Sequence, residues 1–314
     1  MAITLPEVKR ASAVEQARPT GMQLLMRRMR GWFPTTMVAI GAIFMLFPFL
    51  WMFFTSVKSI AESNRFPPTI WPHAWHWENY RTAWESPPST LGRYILNSFI
   101  VASAGTLGQL IVCILAAYAF ARLTFRGRDL LFMLVIATSL IPSEITIIPN
   151  YITINHFPLF GGNNILGQGG NGIYDTYAAM ILPGMAGAFQ IFLLRQSFLQ
   201  IPVDLWEASQ LDGGGSWQFL YRIVLPLSLP ALVTVFIFGF IRRWNDLLWP
   251  MLVTSSEHLR PVQLAMTYYQ QDDFLNNQGA TMGASLLVTL PIVILYIIVQ
   301  RQFVEGIGTT GLKG

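Results

Sequence analysis

The stretch IPVDLWEASQLDGGGSWQFLYRIVLPLSLPA, residues Ile201–Ala231, decides the fold. It lies between two long apolar segments, yet it carries Asp204, Glu207, Asp212 and Arg222. A charged side chain at the centre of a membrane helix costs about 2.5–3.5 kcal/mol, so this stretch belongs outside a bilayer that its flanks cross. Proline at the first helical position loses no needed hydrogen bond, and Pro202 marks a helix start. The spacing predicts a short helix over Val203–Asp212. Gly213-Gly214-Gly215 then permit the positive φ of a sharp break. Ser216 is expected to cap a second short helix, and Leu225-Pro226 leads into the next span. The product is a helix–turn–helix knob held between two membrane helices. On shape alone an ordinary amphipathic loop fits equally well.

Working outward, composition supports the membrane reading. The 314-residue chain has only 11% charged residues, 13% aromatics and a mean hydropathy of +0.46, which is not the profile of a soluble globular protein. Apolar segments of about 20 residues, long enough to cross, occur near 34–57, 95–120, 129–150, 178–199, 224–252 and 280–302. The fourth is rich in Gly and Pro, which membrane helices tolerate. The expected fold is an all-α polytopic membrane protein with six transmembrane helices. The single Cys113 falls inside a span, which excludes a disulfide framework and a thiol metal site. It is expected to pack as a small apolar side chain.

The net charge of +4 is explained by placement rather than by nucleic acid. With the N-terminus inside, the cytoplasmic side holds Lys9, Arg10, Arg18, Arg27, Arg28, Arg30, Arg122, Arg126, Arg128, Arg195, Arg222, Arg301 and Lys313. The outer side holds Lys58, Arg65, Arg81, Arg93 and Arg260. This bias puts both termini and the knob in the cytoplasm. Three regions follow: a polar, irregular cytoplasmic arm over 1–33, retained because the next span is too long for a signal-peptide core; a membrane domain over 34–302, with its cytoplasmic loop at about 201–226; and a cytoplasmic tail over 303–314.

The first outer loop, about 58–94, offers Trp71, Trp75, Trp77 and Trp84 for an interfacial belt or a docking surface. His73 and His76 have a spacing that a metal site uses, but no Cys joins them, and no metal is expected. The loop GGNNILGQGGNG (161–172) reads as a flexible bulge by composition.

Several chemistries are excluded. Of the lysines Lys9, Lys58 and Lys313, only Lys58 precedes a hydroxyl residue, and Val57 stands where a phosphate-binding loop needs glycine. The chain therefore holds no ATP site of the usual kind. Gly283-Ala284-Ser285 resembles an intramembrane serine protease segment, but His73, His76, His156 and His258 all fall in outer loops, so the Ser–His pair is missing. The chain is not expected to be an enzyme.

Ionisable residues inside spans are functional candidates by default. Arg242, Asn245, Asp246 and Trp249 fall at i, i+3, i+4 and i+7, on one face if the helix is continuous. Arg242 and Asp246 are placed to neutralise one another in part. An amide, a carboxylate and an indole on one face suit a polyhydroxylated solute; snorkelling arginines and anchoring tryptophans at the outer interface suit the same residues. Glu144 follows Pro142, with Pro149 beyond. Two prolines bend a helix, which fits pathway lining, and a Glu bonded between helices fits the segment as well.

The knob carries a resemblance. Glu207-Ala208-Ser209, three residues, Gly213, nine residues, then Ile223-Val224-Leu225-Pro226 resembles the EAA signature of ABC-importer permeases, departing only at Ser209, where alanine is usual. Tyr118-Ala119-Phe120-Ala121-Arg122, Ile141-Pro142-Ser143-Glu144, Phe192-Leu193-Leu194-Arg195-Gln196 and Trp244-Asn245-Asp246 also resemble segments of carbohydrate-importer permeases. So does the tail, with Gly306, Gly311 and Lys313, although Gly308 replaces a usual threonine. The chain resembles the second permease of the maltose/glycerol-phosphate branch.

That resemblance implies a type I ABC-importer permease fold in a bacterial inner membrane. It also implies a related, non-identical permease as partner, a dimer of cytoplasmic ATP-binding subunits that carry the ATP and Mg, and a periplasmic or lipid-anchored solute-binding protein. The contacts with the ATPase subunits fall to Leu205, Glu207, Ala208, Ser209, Leu211, Asp212, Gly213, Leu225 and Pro226, with the tail reaching between those subunits. The solute is a sugar, oligosaccharide, glycoside, polyol or glycerol phosphate. An ion-gradient-driven secondary transporter is the rival reading. It needs midplane carboxylates and inverted repeats, supplies only Glu144, and gives the knob no purpose. A membrane scaffold without transport leaves the polar face of the fifth span unexplained.

Overall fold

The computed structural model describes residues 21–85, 89–270 and 277–311, and among these every regular element is helical. In order they are α1 (Gly21–Ser56), α2 (Ile60–Ser63), α3 (Glu78–Trp84), α4 (Leu91–Arg122), α5 (Arg128–Ala137), α6 (Ser143–Asn155), α7 (Tyr177–Ile181) and α8 (Ala188–Leu199). There follow α9 (Val203–Leu211), α10 (Ser216–Phe219), α11 (Leu225–Leu227), α12 (Leu229–Trp244), α13 (Leu248–Val253), α14 (Val262–Met266) and α15 (Gln278–Gly311).

Three continuous helices are long and apolar enough to cross a membrane: Pro34–Ser56, Leu91–Arg122 and Gln278–Gln300. Three bent pairs supply the rest. Arg128–Leu140 meets Ser143–Asn155 at 100°, Tyr177–Gly184 meets Ala188–Leu199 at 53°, and Ser216–Leu227 meets Leu229–Trp244 at 78°. The six apolar segments thus correspond to six spans if each bent pair is one, and the all-α membrane fold stands. The third span is not a gently bent helix. It breaks at Ile141-Pro142, because Pro142 holds its predecessor in an extended conformation, whereas Pro149 lies inside α6 without ending it.

The chain divides into two units, Met1–Trp51 and Met52–Gly314. In the first, α1 begins at Gly21, within the segment expected to be irregular; Met22, Leu24, Leu25 and Met26 are strong helix formers. Beyond Pro34 this part of α1 presents bare apolar side chains such as Ile43, Phe44 and Met45. Residues 1–20 lie outside the described residues.

The second unit is built on α4, which packs against α8 and α12. In a bilayer, lipid tails are as apolar as leucine, so helices associate through close fit of small residues. Cys113, Ala117 and Ala121, four residues apart on α4, form such a stripe and are buried against Ile191, Leu194 and Phe198 of α8. Cys113 thus packs as expected.

The N-terminal end of α4 is tied to the turn before α14 and to α7. Asn97 donates to the carbonyls of His258 and Arg260 (2.8 and 2.9 Å) and accepts from the Tyr177 hydroxyl (2.7 Å). Ser98 Oγ accepts from the Val262 N–H at 2.8 Å.

The loop over 161–172 is a folded element, against the flexible bulge its composition suggests. Asn163 is buried, donates to the carbonyls of Asn155 and Phe157, and accepts from the Gly170 N–H. The glycines serve close approach there: a Cβ on Gly170 would stand 2.0 Å from the Gly161 carbonyl. Asp175 ties the same loop to the turn after α13, accepting from the N–H groups of Ser255 (2.9 Å) and Ser256 (3.0 Å) and from the Ser256 hydroxyl. Burial alone would raise the Asp175 pKa, but the Ser256 and Ser255 donors outweigh it and hold the carboxyl below its ordinary value.

Candidate functional site

The knob folds close to the sequence expectation. Pro202 occupies the N-cap position of α9, and Asp212 ends the helix with its N–H on the Ala208 carbonyl. Gly213 takes φ +78°, and the Gly214 N–H closes the turn on the Ser209 carbonyl at 2.7 Å. Ser216 is the first residue of α10 rather than its cap. Gly215 takes the extended cap conformation instead, and the Ser216 carbonyl accepts from the Tyr118 hydroxyl at 3.0 Å. A π-helical turn over Leu220–Val224 follows, and the chain bends at Ser228 into α12.

The two short helices are braced against each other and against α4 and α8. The Trp206 ring meets Phe219 edge-on, centroids 5.0 Å apart at 72°. Phe219 itself is fully buried among Phe198, Ile201, Leu220 and Val224. Arg122, at the end of α4, donates through Nη2 to the carbonyls of Phe198 and Ile201, which lead into the knob. Arg195 Nε donates to the Phe120 carbonyl at 3.2 Å, and its guanidinium lies 4.2 Å from the Phe132 ring centre.

Against this fixed base, Leu205, Glu207, Ala208, Asp212 and Gly213 are exposed, and Leu211 is 90% exposed. Ser209 is half-buried beneath the turn; Leu225 packs under the knob, and Pro226 is exposed. Leu211, with Leu205 on the same short helix, thus leaves apolar side chains bare at the tip of a braced knob. Gly306 and Gly311 lie in the backbone of α15, which stays helical through the region expected to be a separate tail. Lys313 lies outside the described residues.

A second feature is a half-open cleft of about 210 Å³. Gln109, just past the middle of α4, lines it together with Ser143, Thr146 and Asn150 of α6, Gly184 from the break before α8, and Arg242, Arg243, Asp246 and Trp249. Three chain breaks converge here: Ile141-Pro142, Met185–Gly187, and Asn245–Leu247.

The last break corrects the expectation of one continuous face. The helix stops at Trp244 and α13 restarts at Leu248, because Asp246 takes the position of a helix cap and accepts from the Trp249 N–H at 3.3 Å. Arg242, Asp246 and Trp249 still reach one cleft; Asn245 does not, its side chain bonding the Ile241 carbonyl and Gln263. Arg242 and Asp246 form no ion pair among the described residues. Trp249 turns its indole N–H to the Ala179 carbonyl at 2.9 Å. Glu144 is exposed on the first turn of α6, takes the Ser143 hydroxyl at 3.0 Å and is outside the lining, so it bridges no helices.

Sequence reasoning missed the partner that organises the cleft. Arg243 donates to Gln109 Oε1 at 2.9 Å, to the Gly239 carbonyl at 3.4 Å and to the Gly184 carbonyl. Glycine is required along its path: a Cβ on Gly105 would stand 2.5 Å from Arg243 Nε. The available signal was a glutamine and an arginine inside apolar spans. In the loop between α1 and α4, His73 bonds Glu62 (2.7 Å) and His76 bonds Glu78 (2.6 Å), so the two histidines turn to different carboxylates.

The comparisons agree on one kind of protein. The chain is similar to the sn-glycerol-3-phosphate transport system permease protein UgpE of Yersinia pestis bv. Antiqua, 32% identical over 281 residues, covering 86% of this chain and 93% of the relative. It is 27% identical over 272 residues to the diacetylchitobiose uptake system permease protein NgcG of Streptomyces coelicolor, covering 86% and 85%. It shares its fold with a chain of a bacterial ABC transporter involved in the import of the acidic polysaccharide alginate, with a TM-score of 0.73 at 22% identity over 88% of this chain and 97% of that one. Residues 109–308 match the profile of the binding-protein-dependent transport system inner membrane components, and the chain belongs to that family.

Proposed function

We propose that this chain is the second permease subunit of an ATP-driven importer, paired with a related permease and moved by two cytoplasmic ATP-binding subunits that hold the ATP and Mg. The solute class follows the relatives, whose names cover a glycerol phosphate, an amino-sugar disaccharide and an acidic polysaccharide. It is a hydroxyl-rich carbohydrate or polyol, with or without an acidic group, handed over by a solute-binding protein on the outer side. Both termini and the knob face the cytoplasm, and the end of α15, with Gly306 and Gly311, and Lys313 after it in sequence contact the ATPase subunits.

The observation that carries this reading is the knob. Leu205, Glu207 and Leu211 are exposed on a short helix that Trp206, Tyr118 and Arg122 fix to the membrane helices. ATP binding drives a conformational change only through its differential affinity for two states, and a stiff contact passes that difference on. Glu207 is the charge partner for a basic residue of the ATPase, and Leu205 and Leu211 are its apolar contacts.

The test is co-purification of an ATP-hydrolysing subunit with the tagged chain, with its loss in Glu207→Lys. A wild-type chain that comes without an ATPase and transports on an ion gradient alone would refute the proposal. So would labelling of a cysteine at Trp206 or Ser216 only from outside the cell.

A further inference from the structure

The two adjacent arginines of the cleft have different work. Arg243 is committed: its guanidinium is threaded past Gly105 and Gly184 and hydrogen-bonded to Gln109, Gly184 and Gly239. It holds α12 to α4 and to the break before α8, and has little left to offer a solute. Asp246 is committed too, as the cap of α13. Thr146 gives its hydroxyl to the Ser143 carbonyl at 2.7 Å.

Arg242 stands apart. It is exposed, makes no hydrogen bond to any described residue, and lines the cleft together with Asn150 and Ser143. The carboxylates near it, Asp246 and Glu144, moderate its field but do not take its donors. A planar fork of N–H donors pairs best with a carboxylate or phosphate, two bonds at a time.

The size of the cleft narrows the reading further. At about 210 Å³ it is smaller than pockets that enclose a drug-sized ligand, which begin near 300 Å³. It therefore grips one end of a solute while the remainder lies outside, toward the open side. Broken helices around a polar cavity at mid-helix depth are how membrane transporters expose backbone groups to a solute, and three chain breaks meet here.

The geometry points to a solute subsite in this subunit, in which Arg242 holds the oxyanion of a carboxylate- or phosphate-bearing hydroxylic solute and Asn150 meets its hydroxyls. This deepens the importer reading above and rests on it.

The experiment uses the full importer, with both permeases, ATPase subunits and binding protein, in proteoliposomes. Uptake is measured for sn-glycerol 3-phosphate and digalacturonate against their neutral counterparts glycerol and digalactose. The prediction is ATP-driven uptake of at least one anionic probe in preference to its neutral counterpart. Arg242→Gln lowers that uptake about tenfold or more, the loss of one charge-assisted pair, and Arg242→Lys, which keeps the charge without the fork, falls between. Uptake of neutral probes alone, or Arg242→Gln equal to wild type, overturns the subsite and leaves the importer standing. Failure of Arg242→Gln to assemble with the second permease also overturns it, making Arg242 an inter-subunit contact. No ATP-driven uptake of any probe, with no ATPase in the purified complex, overturns the importer reading itself.

Discussion

Trp206 on α9 meets Phe219 on α10 edge-on with ring centroids 5.0 Å apart, and this contact closes the knob across its glycine turn. Such a pair is worth about 0.5–1.5 kcal/mol beyond the area it buries, and it holds the exposed helix to the base beneath it. Trp206→Ala is expected to leave the chain inserted and to cut ATP-driven uptake about tenfold, whereas Trp206→Phe keeps most of it. Transport assays at matched amounts of assembled complex check this, and full uptake in the alanine variant would mean that the knob needs no bracing.

Gly213 and Gly214 fail for different reasons when replaced. A Cβ on Gly213 meets nothing within 4 Å, but φ +78° costs an L-residue about 1–2 kcal/mol. Gly213→Asn, which tolerates that conformation, should retain most uptake and Gly213→Asp part of it, while Gly213→Val loses it. On Gly214 a Cβ would stand 2.5 Å from Ser209 Oγ and 2.8 Å from the Ser209 carbonyl. Gly214→Ala is therefore expected to be inactive, and Ser209→Ala to restore it only partly, since the backbone clash remains. Uptake by the four single variants and the double variant separates strain from collision.

Arg243→Ala leaves Gln109 and the Gly184 carbonyl without their donor in a water-poor setting, at an expected cost of about 2–4 kcal/mol. Gly105→Ala should destabilise by the same route, by pushing the guanidinium aside. Because the two act on one network, the double variant should cost clearly less than the two single effects added. Thermal unfolding of the detergent-solubilised complex, followed by tryptophan fluorescence, gives all three values.

Asp175 makes the loops before α7 and after α13 sensitive to acid. Its folded pKa lies below that of the unfolded chain, so its contribution is fully present above the ordinary carboxylate value of about 3.9 and is lost as pH falls through the lower folded value. At neutral pH, Asp175→Asn should speed hydrogen exchange in residues 156–176 and 254–257. That difference from wild type should shrink progressively below about pH 4. An unchanged difference at lower pH would assign the tie to the backbone alone.

The parts of this fold readable from sequence are those with a repeating or rigid signature. Apolar runs marked the spans, and Glu207 with Gly213 and Leu225-Pro226 marked the knob, because helix length and glycine geometry are local properties. The cleft was legible only in pieces. Arg242, Asp246 and Trp249 were found through helical spacing, yet the helix ends at Trp244, and they meet because a capping aspartate restarts it. Arg243 and Gln109 lie 134 positions apart, and nothing local pairs them. The loop over 161–172 misled for a related reason: its glycines signal close backbone approach around Asn163, which composition cannot distinguish from slack.

The span Leu91–Arg122 is linked near one end, through Asn97, to the turn at His258 and at the other, through Arg122, to the entrance of the knob, with Arg243 wedged beside Gly105 near its centre. At 32 residues it is a beam of roughly 48 Å. A beam held near its middle acts as a seesaw, so a push at its Arg122 tip would return as an opposite stroke at the far one. In an importer of the kind proposed, opening one mouth and shutting the other would then be a single tilt rather than two events needing separate synchrony.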